Sequence, residues 1–334
     1  MSPLRWGILG DALIARDHFI PALRGARDGR VLAIASRDAE KARRTAQAFD
    51  IPRHYGSYDA LLADPEIEAV YNPLPNHLHV AWSIKAAQAG KHVLCEKPLA
   101  LSAADAAALI DARDRHGVLI QEGFMILAHP QWQRARELVA GGRIGELRAV
   151  QSFFSYYLAD PANVRNQADI GGGGLYDVGC YAVAVSRHLF GEEPLRVAAA
   201  LEIDPGLRTD RLSSAILEFP SGHASFTCGT QLAPYQSVQL VGSSARLSLD
   251  TPFTAPAGQR ALRIRIDDST VLGEAAESVE AMPAVDQFTL QADAFADAVR
   301  GRRPPLVTLE SSLANMRVID ALFEAARSGR WISV

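Results

Sequence analysis

Over roughly its first 120 residues the chain alternates short apolar runs with longer helical patterns, and this alternation leaves few architectures open. Candidate strands are Trp6–Leu9, Val31–Ala35, Ala69–Tyr71, His92–Leu94 and Val118–Ile120. Between them lie the helix-like stretches Ile14–Gly25, Ala39–Phe49, Tyr58–Ala63, His77–Ala89 and Ala103–His116. Apolar strands separated by such stretches indicate βαβ units and a parallel sheet. Right-handed crossovers then build a doubly wound sheet, whose ligand crevice lies at the carboxyl ends of the strands.

After about Gln121 the pattern changes. Leu147–Tyr157, Leu195–Ile203, Ser213–Phe219, His223–Gln231, Ser237–Val241, Arg246–Asp250 and Leu262–Ile266 read as strands with few long helices between them. Pro220-Ser221-Gly222 and Gly242-Ser243-Ser244 mark turns. This predicts a second, α+β domain on an open antiparallel sheet, with Pro130–Ala140 and Tyr181–Phe190 as covering helices and Pro252–Gly258 and Asp267–Met282 as exposed connections. Asp286–Val299 and Ser311–Ser328 are helical again. The expected division is residues 1–121, 122–310 and 311–334, the last packing back on the first domain. A chain of 334 residues suits about two domains.

Composition narrows the function. With 34 basic against 38 acidic residues and a net charge of −4, the chain lacks the basic footprint of a nucleic-acid binder. No apolar run approaches the ~20 residues of a membrane span, and Met1–Trp6 lacks the apolar stretch of a signal peptide. Cys95, Cys180 and Cys228 are odd in number, without a CxxC. They read as buried, reduced thiols of a cytoplasmic protein. His18, His54, His188 and His223 have no metal-ligand spacing, so no metal is expected.

The first strand runs into Gly7-Ile-Leu-Gly10-Asp11-Ala12-Leu13-Ile14-Ala15. Aligned on G-x-G-x-x-G/A this gives Gly10, Ala12 and Ala15, a turn that brings backbone to a pyrophosphate at a helix N-terminus. Alanine at the middle position is less open than glycine, and Asp11 brings negative charge to the turn unless its side chain points away. The second strand ends Ser36-Arg37-Asp38, with Lys41 one turn on. A guanidinium and a hydroxyl suit a ribose 2′-phosphate, favouring NADP over NAD. Asp38 competes as a ribose ligand, but an Asp just before a helix is more simply its N-cap.

Two further clusters carry chemistry. Cys95-Glu96-Lys97-Pro98 places a charged pair at the end of an apolar strand, where a partly desolvated lysine beside nicotinamide suits acid–base work. Gly171-Gly-Gly-Gly174 precedes Leu175-Tyr176-Asp177-Val178-Gly179-Cys180-Tyr181. The glycines leave backbone free to approach a ligand. Asp177 and Tyr181, at i and i+4, share a helix face, as hydrogen bonding to a reacting hydroxyl requires. A flexible loop leading into a core helix, with Tyr181 merely packed, accounts for the same residues.

These motifs, in this order and with Pro73-Leu74-Pro-Asn76-His-Leu-His79, resemble the glucose–fructose oxidoreductase and inositol dehydrogenase (Gfo/Idh/MocA) family over nearly the whole chain. They are most similar to its branch of dimeric dihydrodiol dehydrogenases and NADP-dependent xylose dehydrogenases, which also has Tyr at the position of Tyr181. The resemblance implies a Rossmann domain, then a large, mostly antiparallel sheet often used for dimerisation, so a homodimer or homotetramer is expected. It implies hydride transfer between nicotinamide and a sugar, polyol or related cyclic alcohol or carbonyl, in a cleft between the domains. Lys97 and Tyr181 would manage the proton on the reacting oxygen, which of them is the acid–base being left open, and Asp177 would orient the substrate. The implied cofactor set is Gly10, Asp11, Ala12, Leu13, Ile14, Ser36, Arg37, Lys41, Leu74, Asn76, His79, Glu96 and Lys97, with Asn76 and His79 on the nicotinamide-ribose side.

One departure bears on the substrate: in Phe124-Met125-Ile126-Leu127-Ala128-His129-Pro130-Gln131, Leu127 and Ala128 stand where the branch has Arg and His. A sugar preference does not carry over. Phe124 and Arg165 are candidate substrate contacts, a surface ion pair being the simpler reading of Arg165, and His129 reads as a helix cap. Alternatives are an aldose–aldose oxidoreductase that holds NADP tightly, and a catalytically silent NADP-binding regulatory protein.

Overall fold

Strand β1 (Leu4–Leu9) is flanked on both sides by parallel neighbours, β2 (Gly29–Ala35) and β4 (Ala69–Asn72). With β3 (Arg53–Tyr55), β5 (His92–Glu96) and β6 (Ile120–Gly123) it forms a six-stranded parallel sheet ordered β3-β2-β1-β4-β5-β6. The strand order reverses beside β1, the position at which such sheets bind ligands. The computed structural model describes residues 2–258, 260–274 and 276–334. The chain forms two compact units, residues 1–128 with 286–313, and residues 129–285 with 314–334.

Within its first 128 residues the first unit has helices α1 (Ile20–Leu23), entered through a π-helical turn Ala15–Phe19, α2 (Ala39–Ala48), α3 (Tyr58–Leu62), α4 (His79–Gln88) and α5 (Ala103–His116). Each of α2, α3 and α5 starts on a side-chain cap, from Asp38, Ser57 and Ser102, which satisfies backbone N–H groups that lack a partner within the helix. Trp6 is fully buried, its ring 5.3 Å from Phe19 edge-on and 5.0 Å from Phe295.

The second unit begins with α6 (Pro130–Ala140), which His129 caps through Nδ1, as expected, and continues through β7 (Leu147–Tyr157) to α7 (Cys180–Phe190). Strands β8 (Arg196–Ile203), β9 (Asp210–Glu218), β10 (His223–Gly229), β11 (Gln231–Gly242), β12 (Arg246–Leu249), β13 (Arg263–Asp267) and β14 (Glu277–Ala281) follow. Together with β15 (Ile332–Ser333) they form a nine-stranded sheet ordered β14-β13-β12-β11-β7-β10-β9-β8-β15, antiparallel except between β7 and β10.

The fold class is as expected, but the division of the chain differs in two places. Helix α8 (Gln287–Val299) belongs to the first unit, not the second. Phe295 closes over Trp6, and Asp293 accepts hydrogen bonds from the backbone and guanidinium of Arg27 at 2.8 and 3.0 Å. The unit boundary falls inside α9 (Leu309–Ser328), with residues 314–334 grouped in the second unit. There Phe323 lies 5.0 Å from Tyr176, and β15 pairs with β8. Among the described residues no helix is long and apolar enough to cross a membrane.

Candidate active site

The turn after β1 is built for backbone approach. Gly10 has φ +92, and a Cβ there would stand 2.9 Å from Leu74 Cδ2, so only glycine fits. The Ala12 carbonyl accepts from the N–H groups of Ala15 and Arg16, starting the helix. The Asp11 carboxylate turns away: it accepts from Thr45 Oγ1 at 2.8 Å and pairs with Arg16 Nε at 3.5 Å. Its charge is thereby neutralised locally. Leu13 is 60% exposed and Ile14 half-buried.

At the end of β2, Asp38 caps α2 through the N–H groups of Glu40 and Lys41 at 3.0 and 3.1 Å. Ser36 is buried, its Oγ accepting from the Asp38 N–H. Arg37 and Lys41 are exposed. Burial pushes the Tyr58 phenol up, against the opposing influence of the neighbouring Arg37 guanidinium. These residues fit a dinucleotide: a turn closed to a Cβ at Gly10, with two exposed cations at the strand end where a ribose phosphate would sit.

Around Lys97 the structure replaces two expectations. Glu96 ends β5 buried, with its Oε1 accepting from Tyr71 Oη at 2.5 Å, and Lys97 beside it is half-buried. Half-buried Asn76 opens the short helical turn Asn76–Leu78. His79 does not line a ligand surface. It is 1% exposed, with Nδ1 2.8 Å from the Pro98 carbonyl oxygen and Nε2 2.7 Å from that of Leu74. A neutral imidazole donates from one nitrogen only, and burial pushes this ring down to about 4. His79 thus ties the turn after β4 to the turn after β5. Asn72 extends the tie, donating from Nδ2 to His79 O and Ser83 Oγ, both at 3.1 Å. Phe124 is likewise 2% exposed and part of the core, not a pocket wall. Leu127 and Ala128 lie buried in a turn packed on α8, where a charged side chain would go unsolvated.

In the second unit the glycine run is committed to the protein's own packing, contrary to expectation. Gly172 and Gly173 donate their N–H groups to Gln167 O and Arg165 O, both at 2.9 Å. Gly173 has φ +122, and a Cβ there would meet the Asp210 carboxylate. The run leads into a π-helical turn, Leu175–Gly179, that continues as α7. From this stretch Asp177 receives two donors on Oδ2: the Tyr156 hydroxyl, and Arg165 Nε at 3.2 Å. Arg165 is therefore an ion-pair partner of a candidate site residue, with 41% of its side chain exposed. Asp177 foremost, then Tyr156 and Tyr181, raise its guanidinium above the ordinary value. Burial and Asp177 hold the Tyr156 phenol well above its own, hence protonated and donating. Tyr181 is 4% exposed, its ring 6.0 Å from Phe154 and 5.9 Å from Phe253. No sequence signal marks Tyr156, one aromatic among several in β7.

Cys95, Cys180 and Cys228 are buried and unbridged. Burial raises the thiols of Cys95 and Cys228, so neither supplies a nucleophile. Among the described residues no group of three or more His, Cys, Asp or Glu is arranged to hold a metal ion.

A glycine-tight βα turn at the reversal point of a parallel sheet, followed by a basic strand end, defines a dinucleotide-binding fold. Residues 4–124 match the model of the oxidoreductase family with an NAD-binding Rossmann fold, and residues 132–248 match the GFO/IDH/MocA C-terminal domain. The chain belongs to the GFO/IDH/MocA family. It is 39% identical over 331 residues to a D-xylose 1-dehydrogenase (NADP(+)) of Haloferax volcanii, covering 98% of each chain. The fold is similar to that of a 3-ketoreductase from Actinomadura kijaniata in complex with NADP and TDP-benzene, with a TM-score of 0.90 at 32% identity, covering 97% of this chain and 98% of that one. It is also similar to an aldose–aldose oxidoreductase from Caulobacter crescentus complexed with glycerol, with a TM-score of 0.91 at 28% identity and 100% coverage of both chains.

Proposed function

We propose that the protein is an NADP-dependent oxidoreductase acting between an alcohol and a carbonyl of a sugar, polyol or related cyclic substrate. The end of β2 carries this reading: Asp38, which could bind a free ribose 2′-hydroxyl, is occupied as a helix cap, while Arg37 and Lys41 stand exposed beside Ser36. Such a cationic set suits a 2′-phosphate. The NADP named for the Haloferax enzyme and bound in the Actinomadura structure supports the same choice.

When bound, NADP supplies or accepts the hydride. The Gly10–Ile14 turn would hold the pyrophosphate, with Asn76 on the nicotinamide-ribose side and Leu74 and Glu96 completing the cofactor set. Lys97 and Tyr181 manage the proton on the reacting oxygen, and Asp177 orients the substrate hydroxyl. Arg165 supplies positive charge near both Asp177 and Tyr181, which favours a negatively charged oxygen there.

The protein is read as cytoplasmic, with a small-molecule partner and neither nucleic acid nor membrane. A homodimer or homotetramer forms through the open face of the nine-stranded sheet, where Ile216 and Tyr235 are 44% and 57% exposed. Large apolar side chains grouped on one sheet face favour a cover. The deciding experiment is fluorescence titration with NADP and NAD, followed by a sugar and polyol oxidation screen. Tighter NADP binding with turnover of an aldose or polyol is expected; binding without turnover would leave a regulatory NADP-binding protein. The likeness to the Caulobacter structure supports a second reading, hydride exchange between two aldoses on a retained cofactor. Bound nicotinamide in the absorbance of the purified protein would select it.

A further inference from the structure

Asp210, the first residue of β9, is 3% exposed and lies far in sequence from every motif above. Its Oδ2 accepts from the Leu175 backbone N–H at 2.7 Å and from Ser213 Oγ at 2.6 Å. The Gly174 N–H and its own N–H also face the carboxylate. A Cβ added at Gly173 would stand 2.0 Å from Oδ1, and one at Gly174 3.3 Å from Oδ2. The carboxylate therefore fills the space that the glycine run leaves, and it engages the first backbone donors of the helical stretch that follows. A negative charge suits that end of a helix. Burial pushes the Asp210 carboxyl up to about 6, so these donors are what keep it charged at neutral pH.

The clamped segment carries the chemistry. Leu175 opens the π-helical turn that contains Asp177, and α7, which holds Tyr181, continues it without a break. Asp177 also donates its N–H to Gly173 O at 3.0 Å, so the residue shaped around Asp210 is tied directly to the candidate substrate ligand.

We propose that Asp210 is a positioning residue: its carboxylate clamps Gly173–Leu175 and thereby sets the direction in which Asp177 and Tyr181 present their oxygens. The inference rests on reading those two residues as substrate-facing. At 3% exposure, Asp210 acts through the segment it clamps. It explains why the run is glycine: the missing Cβ atoms make room for a side chain of the protein itself.

The test compares the wild type with Asp210→Asn and Asp210→Ala. Asparagine is nearly isosteric, but it loses the charge and turns an NH2 group toward backbone donors. Amide hydrogen exchange over residues 171–181 is read first, because it needs no substrate. Asp210→Asn is expected to speed exchange at Gly174 and Leu175 about tenfold while β1 and α2 stay protected. NADP affinity by fluorescence titration should stay within about threefold, since misplacement is confined to the second unit, and kcat on the sugar that the wild type turns over best should fall about 10²-fold with little change in KM. Asp210→Ala should match or exceed these effects; if it fails to fold, the asparagine variant decides. Unchanged exchange at 174–175 overturns the clamp. Faster exchange throughout the nine-stranded sheet, with kcat falling only in step with thermal stability, reduces Asp210 to a structural residue and overturns the positioning role. A wild type that turns over no sugar or polyol defeats the functional reading instead, and the positioning role with it, while the exchange measurement still decides whether the clamp exists.

Discussion

The imidazole of His79 stands 2.8 Å, through Nδ1, from the carbonyl oxygen of Pro98, the residue that follows Lys97. The first residue of α4 thus braces the turn on which the candidate acid–base lysine is mounted. In the neutral ring that burial favours, a single N–H serves one of the two carbonyls, that of Pro98 or that of Leu74.

His79, His129 and His188 are all pushed down to about 4, in each case foremost by burial. An unfolded histidine titrates near 6.5. Between about 6.5 and 4 the unfolded chain therefore binds protons that the folded chain refuses, and stability falls as pH falls through that window, by at most about 1.4 kcal/mol per pH unit per histidine. Calorimetry should show a melting temperature that drops from pH 7 to pH 4.5, with a shallower slope in His79→Gln. A flat profile in the wild type would contradict the buried neutral rings.

Lys97→Met should lower kcat by about 10²- to 10⁴-fold, the usual span of acid–base assistance. NADP affinity, measured by fluorescence, should change little. Full turnover in this variant would remove Lys97 from the mechanism.

Arg37→Ala should weaken NADP binding about 10- to 100-fold, as expected for loss of a hydrogen bond to a charged group. Binding of NAD, which lacks the 2′-phosphate, should be almost unaffected. Equal losses for both cofactors would show that Arg37 does not read that phosphate.

Tyr156→Phe removes the Tyr156 donor on Asp177 Oδ2 and leaves Arg165 in place. The expected result is a roughly tenfold fall in kcat/KM for the sugar, with unchanged NADP affinity. Steady-state kinetics beside a cofactor titration separates the two, and unaltered kcat/KM would make the contact incidental.

Ile216→Asp combined with Tyr235→Asp places charge on the open sheet face. If the proposed assembly forms through this face, sedimentation should show the variant as a monomer where the wild type is a dimer or tetramer, because like charges brought together at a buried interface are unfavourable. An assembly of unchanged mass would place the interface elsewhere.

Much of the fold is legible in the sequence because buried parallel strands are continuous apolar runs, as in Val31–Ala35. Three strands are not, among them edge strand β15, only two residues long. Edge strand β3 is three residues long, and its Arg53 and His54 carry no apolar signal. Strand β14 is an edge strand reading Glu-Ser-Val-Glu-Ala, almost entirely exposed, within what had the appearance of a connection. The placement of α8 depends on Phe295 reaching Trp6, a contact that no local pattern announces. Within the site, the capping role of Asp38 follows from its place before a helix. The direction of Asp11, the enclosure of His79 and the Tyr156 contact depend on where side chains point. Glycines in a row reveal that Cβ atoms are missing, but not that Asp210 occupies the space.

The chain passes from one unit to the other three times, after residues 128, 285 and 313. Domains commonly fold in order as they leave the ribosome, but the nucleotide-binding unit cannot. Its first 128 residues emerge without α8, and the Trp6 face waits for Phe295, which is made only after the large sheet's strands up to β14. During synthesis the unit whose sequence comes first is completed only after most of the second has been made. A fragment ending at residue 128 would leave the Trp6 and Phe19 face without its cover.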